Sequence, residues 1–232
     1  MAARAKRLIV EAIFGLSRIG ERRGWEWLTY HPGVFVFFHW LAKREAPNVV
    51  GSFLATFPDA RSFADVGAGT GGYAAYLQRQ GRSVVACERS RLGREFARMQ
   101  HVKSIPFDLN LPEPAAFATT VDVAYSLEVA EHLPPELGTR LVQFMLELAP
   151  TVVFGAAHPG QGGAGHINEQ PASYWAGEFF RAGAELDPAA SATLGEQLRR
   201  RNTVEWMAHN VQVFRRRGNL QLLGESAAPM EA

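Results

Sequence analysis

Arg61-Ser-Phe-Ala-Asp-Val-Gly-Ala-Gly-Thr-Gly-Gly-Tyr73 decides the fold. It reads as a short buried strand ending at Val66, a glycine turn, and the start of a helix. Glycines at 67, 69, 71 and 72 leave the backbone bare, so a ligand can approach it closely. The first N–H groups of the following helix lack intrahelical partners and point at the same place. An open α/β sheet builds a nucleotide-type site in this way, at the carboxyl ends of its strands.

Gly67, Gly69 and Gly72 also satisfy G-x-G-x-x-G, the dinucleotide spacing. Asp65 decides between ligands. A carboxylate two residues before the first glycine repels a pyrophosphate. S-adenosylmethionine carries no phosphate, and its ammonium and sulfonium are cations that an acid attracts. Asp65-Val-Gly-Ala-Gly-Thr-Gly71, running on to Tyr73, resembles the first motif of class I S-adenosylmethionine-dependent methyltransferases. The resemblance implies cofactor contacts from Asp65, Gly67, Ala68, Gly69, Gly71 and Tyr73.

Downstream, strands and helices alternate, which predicts a parallel sheet with right-handed crossovers. Strands are expected at about 62–66, 83–87, 103–107, 121–126 and 151–156, with a short one near 184–186 and a last one over 209–215. Helices are expected over about 72–80, 91–100, 135–148 and 189–201, and after Pro171. Glu88 ends the second strand, about 20 residues past the glycine turn, where a ribose diol is held. Both S-adenosylmethionine and a nicotinamide dinucleotide carry that diol. Asp108-Leu109 follows the third strand. It suits a turn before Asn110 and Pro112, and by resemblance it contacts the adenine.

Asp122 through Leu133, containing Ser126-Leu-Glu-Val-Ala-Glu-His-Leu133, is similar to the fourth motif of small-molecule methyltransferases. There the chain leaves the central strand beside the cofactor, which implicates Leu127 and Glu128. Nucleic-acid amino methyltransferases carry Asn/Asp-Pro-Pro-aromatic at this point, and Tyr125-Ser-Leu-Glu128 does not.

The strand-five loop, Ala157-His-Pro-Gly-Gln-Gly-Gly-Ala-Gly-His-Ile-Asn-Glu-Gln-Pro171, sits at the ligand edge of the sheet. It is either an acceptor-site loop or a surface turn. A hydroxyl or ammonium acceptor needs a base, and histidine suits that near neutral pH. His166 is the first candidate and His132 the second; His132 equally suits a structural role at a helix start. Tyr30, His31, His158, Asn168, Tyr174 and Trp175 are candidates for the acceptor side. His158-x7-His166 is no metal-ligand spacing, so no metal is expected.

Residues 1–58 read as an N-terminal helical cap, 59–218 as the sheet domain and 219–232 as a flexible tail. In the cap, Leu8, Ile9, Ala12, Ile13, Leu16 and Ile19 recur at helical spacing until Gly20 and Gly24. A second helix is expected over about 34–44, and a third is expected to start at Pro47. The aromatics from Trp25 to Trp40 are mostly core, with a minority available to line a cavity.

The totals agree with this organisation. The chain has 232 residues, 47% of them hydrophobic and 20% charged, enough for one sizeable domain with an appendage. A net charge of +1 gives no electrostatic footprint for nucleic acid. One cysteine, Cys87, excludes an internal disulfide and fits the cytoplasm. No apolar run reaches the roughly 18 residues that span a bilayer.

The expected architecture is α/β, a three-layer doubly wound, mostly parallel seven-stranded sheet with an N-terminal helical cap, monomeric or homodimeric. The expected function is methyl transfer from S-adenosylmethionine to O, N or C of a small molecule. Two other classes stay open: an NAD-dependent oxidoreductase, and a non-catalytic cofactor-binding member of the fold. A protein acceptor also stays open.

Overall fold

The computed structural model describes residues 2–115 and 120–218. The expected tail, 219–232, lies outside them.

Five strands pair in parallel: β1 (Ser62–Val66), β2 (Ser83–Glu88), β3 (Ser104–Pro106), β4 (Val123–Leu127) and β5 (Thr151–Gly155). Two more, β6 (Ala184–Leu186) and β7 (Gln212–Arg216), form an antiparallel pair, and β7 lies antiparallel to β5. The seven-stranded order is β3-β2-β1-β4-β5-β7-β6. The chain reverses direction across the sheet between β1 and β4. An open α/β sheet has its binding crevice at that switch, outside the carboxyl ends of the strands. Gly67 and Glu128 are the residues that leave those two ends.

Helices cover both faces. On one lie α3 (Pro32–Thr56), α4 (Gly72–Arg79), α5 (Arg91–Met99), α8 (Pro188–Arg200) and the short α9 (Glu205–Asn210). Val50 and Phe53 of α3, Leu77 of α4, Ala97 of α5 and Leu194 of α8 share one buried core with Phe63 and Tyr125 of the sheet. On the other face α6 (Pro135–Leu148) and α7 (Ala172–Arg181) bury Leu141, Met145, Trp175 and Phe179 against Ala64, Ala124 and Phe154. The strands are apolar on both sides, as a doubly covered parallel sheet requires.

The N-terminal region differs from expectation in two places. Helix α1 (Ala2–Arg23) runs through Gly20 and stops at Gly24, whose φ is +66°. A side chain at Gly20 would collide with the backbone of Thr29, in the short α2 (Glu26–Thr29). Gly20 thus permits a close helix approach and does not end the helix. Pro47 does not start a third helix either. It lies inside α3, which is continuous from Pro32 to Thr56. An interior proline costs about 3 kcal/mol. Here Ala46, Val49, Val50 and Phe53 are buried around it, so tertiary burial holds the helix through the break. The C-terminal half of α3 therefore belongs to the sheet's own core, while α1, α2 and the start of α3 stand at its ligand edge.

At the other end, residues 205–210 form α9, and the last strand begins at Gln212. The alternation that predicts a strand from His209 is real only from 212 onward. Ahead of it, Met207, Ala208 and Asn210 are buried as a helical face.

Asp122 fastens the start of the switch region. Its Oδ2 accepts from Arg61 N (2.7 Å), Ser62 N (2.8 Å) and Ser62 Oγ (2.9 Å), tying the entrance of β1 to that of β4. Burial raises its carboxyl, but these bonds outweigh that and hold it below its ordinary value. Asp122→Ala should lower unfolding stability by about 1–3 kcal/mol in chemical denaturation, with cofactor affinity unchanged. No loss of stability would refute the tie.

Candidate active site

A cavity of about 1550 Å³ opens at the carboxyl ends of β1, β2 and β4 and runs out under the N-terminal helices. A pocket for one drug-sized ligand has about 300–1,000 Å³. This one has room for two partners side by side.

The glycine turn forms one end. Gly67 N and Ala68 N donate to Cys87 O at 2.9 and 3.0 Å, which folds the turn back over β2. Gly67 has φ +78°, and a Cβ there would strike the Val129 side chain at 2.5 Å. Gly69 has φ +53° and faces open space. Both positions demand glycine, and Gly69 leaves its backbone bare to the cavity. Glu88 braces the turn: its carboxylate accepts from Gly69 N and from Ser90 N, each at 2.7 Å. Burial raises the Glu88 carboxyl, and those two N–H groups oppose the rise.

Asp65 is 4% exposed at the floor of this end. Its Oδ2 has no hydrogen-bond partner among the described residues, although the Tyr125 hydroxyl lies nearby. Burial drives its carboxyl up to about 7, and the charge of Glu88 adds to that. Glu45, from α3, also lines the cavity; its Oε1 accepts from Arg44 Nε at 2.7 Å, which leaves a buried, unpartnered Oε2. Two orphaned carboxylate oxygens beside a bare glycine turn fit a cationic ligand and oppose a pyrophosphate. S-adenosylmethionine matches this donor set: Asp65 and Glu45 for its cationic end, the bare turn for close approach, and Glu88 near a diol. Phe107, Asp108, Leu109 and Asn110 line the far wall.

The middle of the cavity is the exit of β4. Glu128 sits at φ +55°, a strained conformation for a non-glycine residue. Its carboxylate accepts from Gln161 Nε2 (2.6 Å) and Asn210 Nδ2 (3.2 Å), and Asn210 also donates to Gln161 Oε1 (2.8 Å). This triangle locks the strand-five loop and α9 to the end of β4.

Beyond it, a 3₁₀ turn over Ala130–His132 presents Glu131 and His132, and the strand-five loop brings His166 against them. The ring centroids of His132 and His166 are 4.9 Å apart. His132 Nδ1 lies 3.0 Å from Gly165 O, so that nitrogen carries the proton and donates. Tyr30 holds its hydroxyl 3.3 Å from the same nitrogen. Burial and the neighbouring His166 lower the His132 pKa to about 4, so the ring is neutral. His166 donates through Nδ1 to Glu169 Oε1 at 2.8 Å. Burial raises Glu169, but the bond from His166 and those from Gly160 and Gly162 leave it below its ordinary value.

Glu131 is fully buried, with Oε1 4.0 Å from His166 Nε2. Neither of its oxygens has a partner at strict hydrogen-bond geometry among the described residues, but the backbone N–H groups of Glu131 and Ala157 lie close enough to favour its charged form. Burial and the charge of Glu128 push it up to about 8.

The cavity thus joins most of the residues singled out in the sequence: Asp65, Gly67, Ala68, Gly69, Tyr73, Glu88, Asp108, Leu109, Leu127 and Glu128 at one end, and His132, His166 and Tyr30 at the other. Gly71 stands behind the turn, where its φ of +72° and its contact with Ala97 start α4. Five acceptor-side candidates are used elsewhere. His31 caps α3 by accepting from Gly33 N and bonds Ile13 O through Nε2. His158 packs on His209. Trp175 is core against Phe154, with Tyr174 edge-on to it. Asn168 is buried, its amide oxygen accepting from Gln170.

The sequence reading passed over Glu131, Gln161 and Asn210. Glu131 lies within the quoted fourth motif; its signal was an acid wedged between an alanine and a histidine at a strand exit. The expectation that the aromatics from Trp25 to Trp40 are mostly core is reversed: only Phe35 among them is buried, and Trp25, Trp27, Phe37 and Trp40 line the outer cavity with the rest.

Residues 64–149 match the family model described as a methyltransferase domain. The chain carries a methyltransferase domain. Its glycine turn, Glu88 and the β4 exit all fall within the matched residues. A comparison with curated protein sequences finds no match. Solved structures share the fold. A TehB-like S-adenosylmethionine-dependent methyltransferase from Corynebacterium glutamicum aligns with TM-score 0.59 at 17% identity, over 81% of this chain and 100% of that one. The sugar N-methyltransferase KedS8 from a Streptoalloteichus species aligns with TM-score 0.57 at 17% identity, over 75% and 87%. An O-methyltransferase family protein from Burkholderia thailandensis gives 0.58 at 15% identity, over 81% and 61%. The described residues share the fold of these methyltransferases, with the crevice of the sheet at the β1–β4 switch. Among the described residues no helix is long and apolar enough to cross a membrane.

Asp65 supplies a direct test of the cofactor end. Its folded pKa, near 7, lies above the ordinary 3.8, so folding favours the protonated form. Stability that is present below about pH 4 is lost as pH rises toward 7. Asp65→Asn removes that penalty. The ligand-free variant should melt several degrees above the parent at pH 8 and nearly with it at pH 4. An equal gain at both pH values would mean that Asp65 is not a desolvated acid.

Proposed function

We propose that the chain transfers a methyl group from S-adenosylmethionine to a hydroxyl or amine of a small molecule. One observation carries the reading. A single cavity joins the acid-floored glycine turn to the Glu131–His132–His166 cluster, with volume for cofactor and acceptor together. When bound, the cofactor supplies a methyl on a sulfonium, a good leaving group.

The chain's own residues do the rest. Asp65 and Glu45 hold the cationic end, Glu88 the ribose, and Asp108-Leu109 the adenine. Leu127 and Glu128 set the distance between the two ends of the cavity. The acceptor atom rests against His166 and His132, where its proton is removed. Glu169 fixes the ring of His166 by taking its Nδ1–H, which turns Nε2 toward the cavity. Tyr30 and the outer aromatics keep water from the acceptor. Catalysis is then mostly alignment of nucleophile, methyl carbon and sulfur. A sugar N-methyltransferase and an O-methyltransferase family protein are among the structures that share this fold, which supports a small acceptor. The lone, buried Cys87 suits the reducing cytoplasm as the place of the reaction.

Calorimetric titration tests the cofactor. S-adenosylmethionine should bind with micromolar affinity and NAD(H) should not. Glu88→Ala should weaken that binding at least tenfold. His166→Ala should leave it within threefold while slowing turnover about 100-fold or more. NAD binding without S-adenosylmethionine binding would instead establish the oxidoreductase reading.

A further inference from the structure

The Glu131–His132–His166 cluster is built in a way that proton removal alone does not require. One ring nitrogen from each histidine and one Glu131 oxygen lie within 4.8 Å of one another. Each histidine has its Nδ1 engaged by an acceptor: His132 on the Gly165 carbonyl, His166 on the Glu169 carboxylate. Metal-ligating histidines are held in this way, with the second nitrogen donating to a carbonyl or carboxylate so that Nε2 keeps its lone pair. Glu131 completes the set with two buried oxygens that no side chain among the described residues satisfies, only the backbone N–H groups of Glu131 and Ala157 lying near them. A buried carboxyl either keeps a proton or pairs with a cation, and Glu131 stands where a cation bound by the two histidines would meet it. All three residues line the cavity, so a fourth position faces the acceptor end.

We propose that Glu131, His132 and His166 bind one divalent transition-metal ion, with zinc the best match to a two-histidine, one-carboxylate donor set with an open position. The donors must close in. Tetrahedral zinc with bonds of about 2.1 Å spaces its ligands about 3.4 Å apart, against the 4.0 Å from His166 Nε2 to Glu131 Oε1. Rotation of the Glu131 carboxylate and the His166 ring covers that difference. The site's role rests on the proposed methyl transfer. An acceptor hydroxyl entering the open position would bond through oxygen to the ion and lose its proton to water in the cavity. That leaves an oxyanion facing the methyl. With the ion bound, His132 and His166 are ligands and no longer take the proton, which leaves through the open mouth of the cavity to bulk water. The existence of the site does not rest on that reading, because it is read by binding.

The full chain, stripped with chelator and dialysed, is titrated with Zn²⁺ by calorimetry and with Co²⁺ by visible absorption. One ion per chain should bind with micromolar affinity or tighter, Co²⁺ should give the intense bands of a low-coordinate site, and Zn²⁺ should raise the melting temperature. Glu131→Gln and His166→Ala should each weaken uptake at least tenfold. His158→Ala, at the separate His158–His209 pair, should leave it unchanged. S-adenosylmethionine titration of each variant reports whether it is folded, and the parent's melting shift needs no variant. No uptake by the parent, or uptake lost in His158→Ala and kept in Glu131→Gln, would overturn the metal site. With S-adenosylmethionine still binding, the methyltransferase reading would survive that result. Metal uptake without S-adenosylmethionine binding would do the reverse.

Discussion

Everything depends on the parallel pairing of β1 with β4, where Asp65 stands opposite Tyr125. That pairing puts the two chain exits, at Gly67 and Glu128, next to each other. It also places Asp65 in the middle of a sheet covered on both sides, where an ionised carboxylate has no water. A group so placed either shifts its pKa or waits for a cation. The glycine turn, the brace from Glu88 and the strained Glu128 all surround that one desolvated acid. The energetic conflict at Asp65 is the feature that favours a cationic cofactor over a phosphate.

The sheet was legible because most strands are short β-branched or aromatic runs closed by a turn residue. The strand positions follow those runs within a residue or two, except that the last strand starts three residues later than its pattern, at Gln212. The cofactor end was equally legible: a turn that needs bare backbone writes itself as glycine, and acids at strand ends are visible as letters. The acceptor end was harder to read for a physical reason. Tyr174 and Trp175 look like cavity aromatics, yet a helix buries whichever face meets the sheet, and here that face carries Trp175. Histidines carry no sign of which partner they will find. His31 and His158 went to a helix cap and a ring pair, His132 and His166 to the cavity. Glu131 was hidden because its importance lies in what fails to reach it. The continuity of α3 through Pro47 escaped too, since burial outweighed a local penalty.

The cavity is asymmetric in its chemistry. Its floor is acidic and held by backbone N–H groups, which fixes geometry tightly. Its outer part is lined by Trp25, Trp27, Phe37 and Trp40 from the first helices. Trp27 is 71% exposed there. Apolar contact of that kind tolerates variation in shape where a hydrogen-bonded floor does not. One region therefore sets what donates, and a separate one sets what accepts. The Glu128–Gln161–Asn210 triangle is the joint between them, and it also carries the C-terminal hairpin.

The edges of the sheet have a consequence of their own. Both outermost strands, β3 and β6, are three residues long, and β3 ends on Pro106, which has no N–H to offer. Such blunt margins give a second sheet almost nothing to pair with. Among the described residues the sheet therefore offers little for strand addition. The exposed apolar side chains gather elsewhere, Trp25, Trp27, Phe38 and Trp40 among them, so a surface that sheds a second sheet sits beside a cavity mouth that stays open to apolar contact.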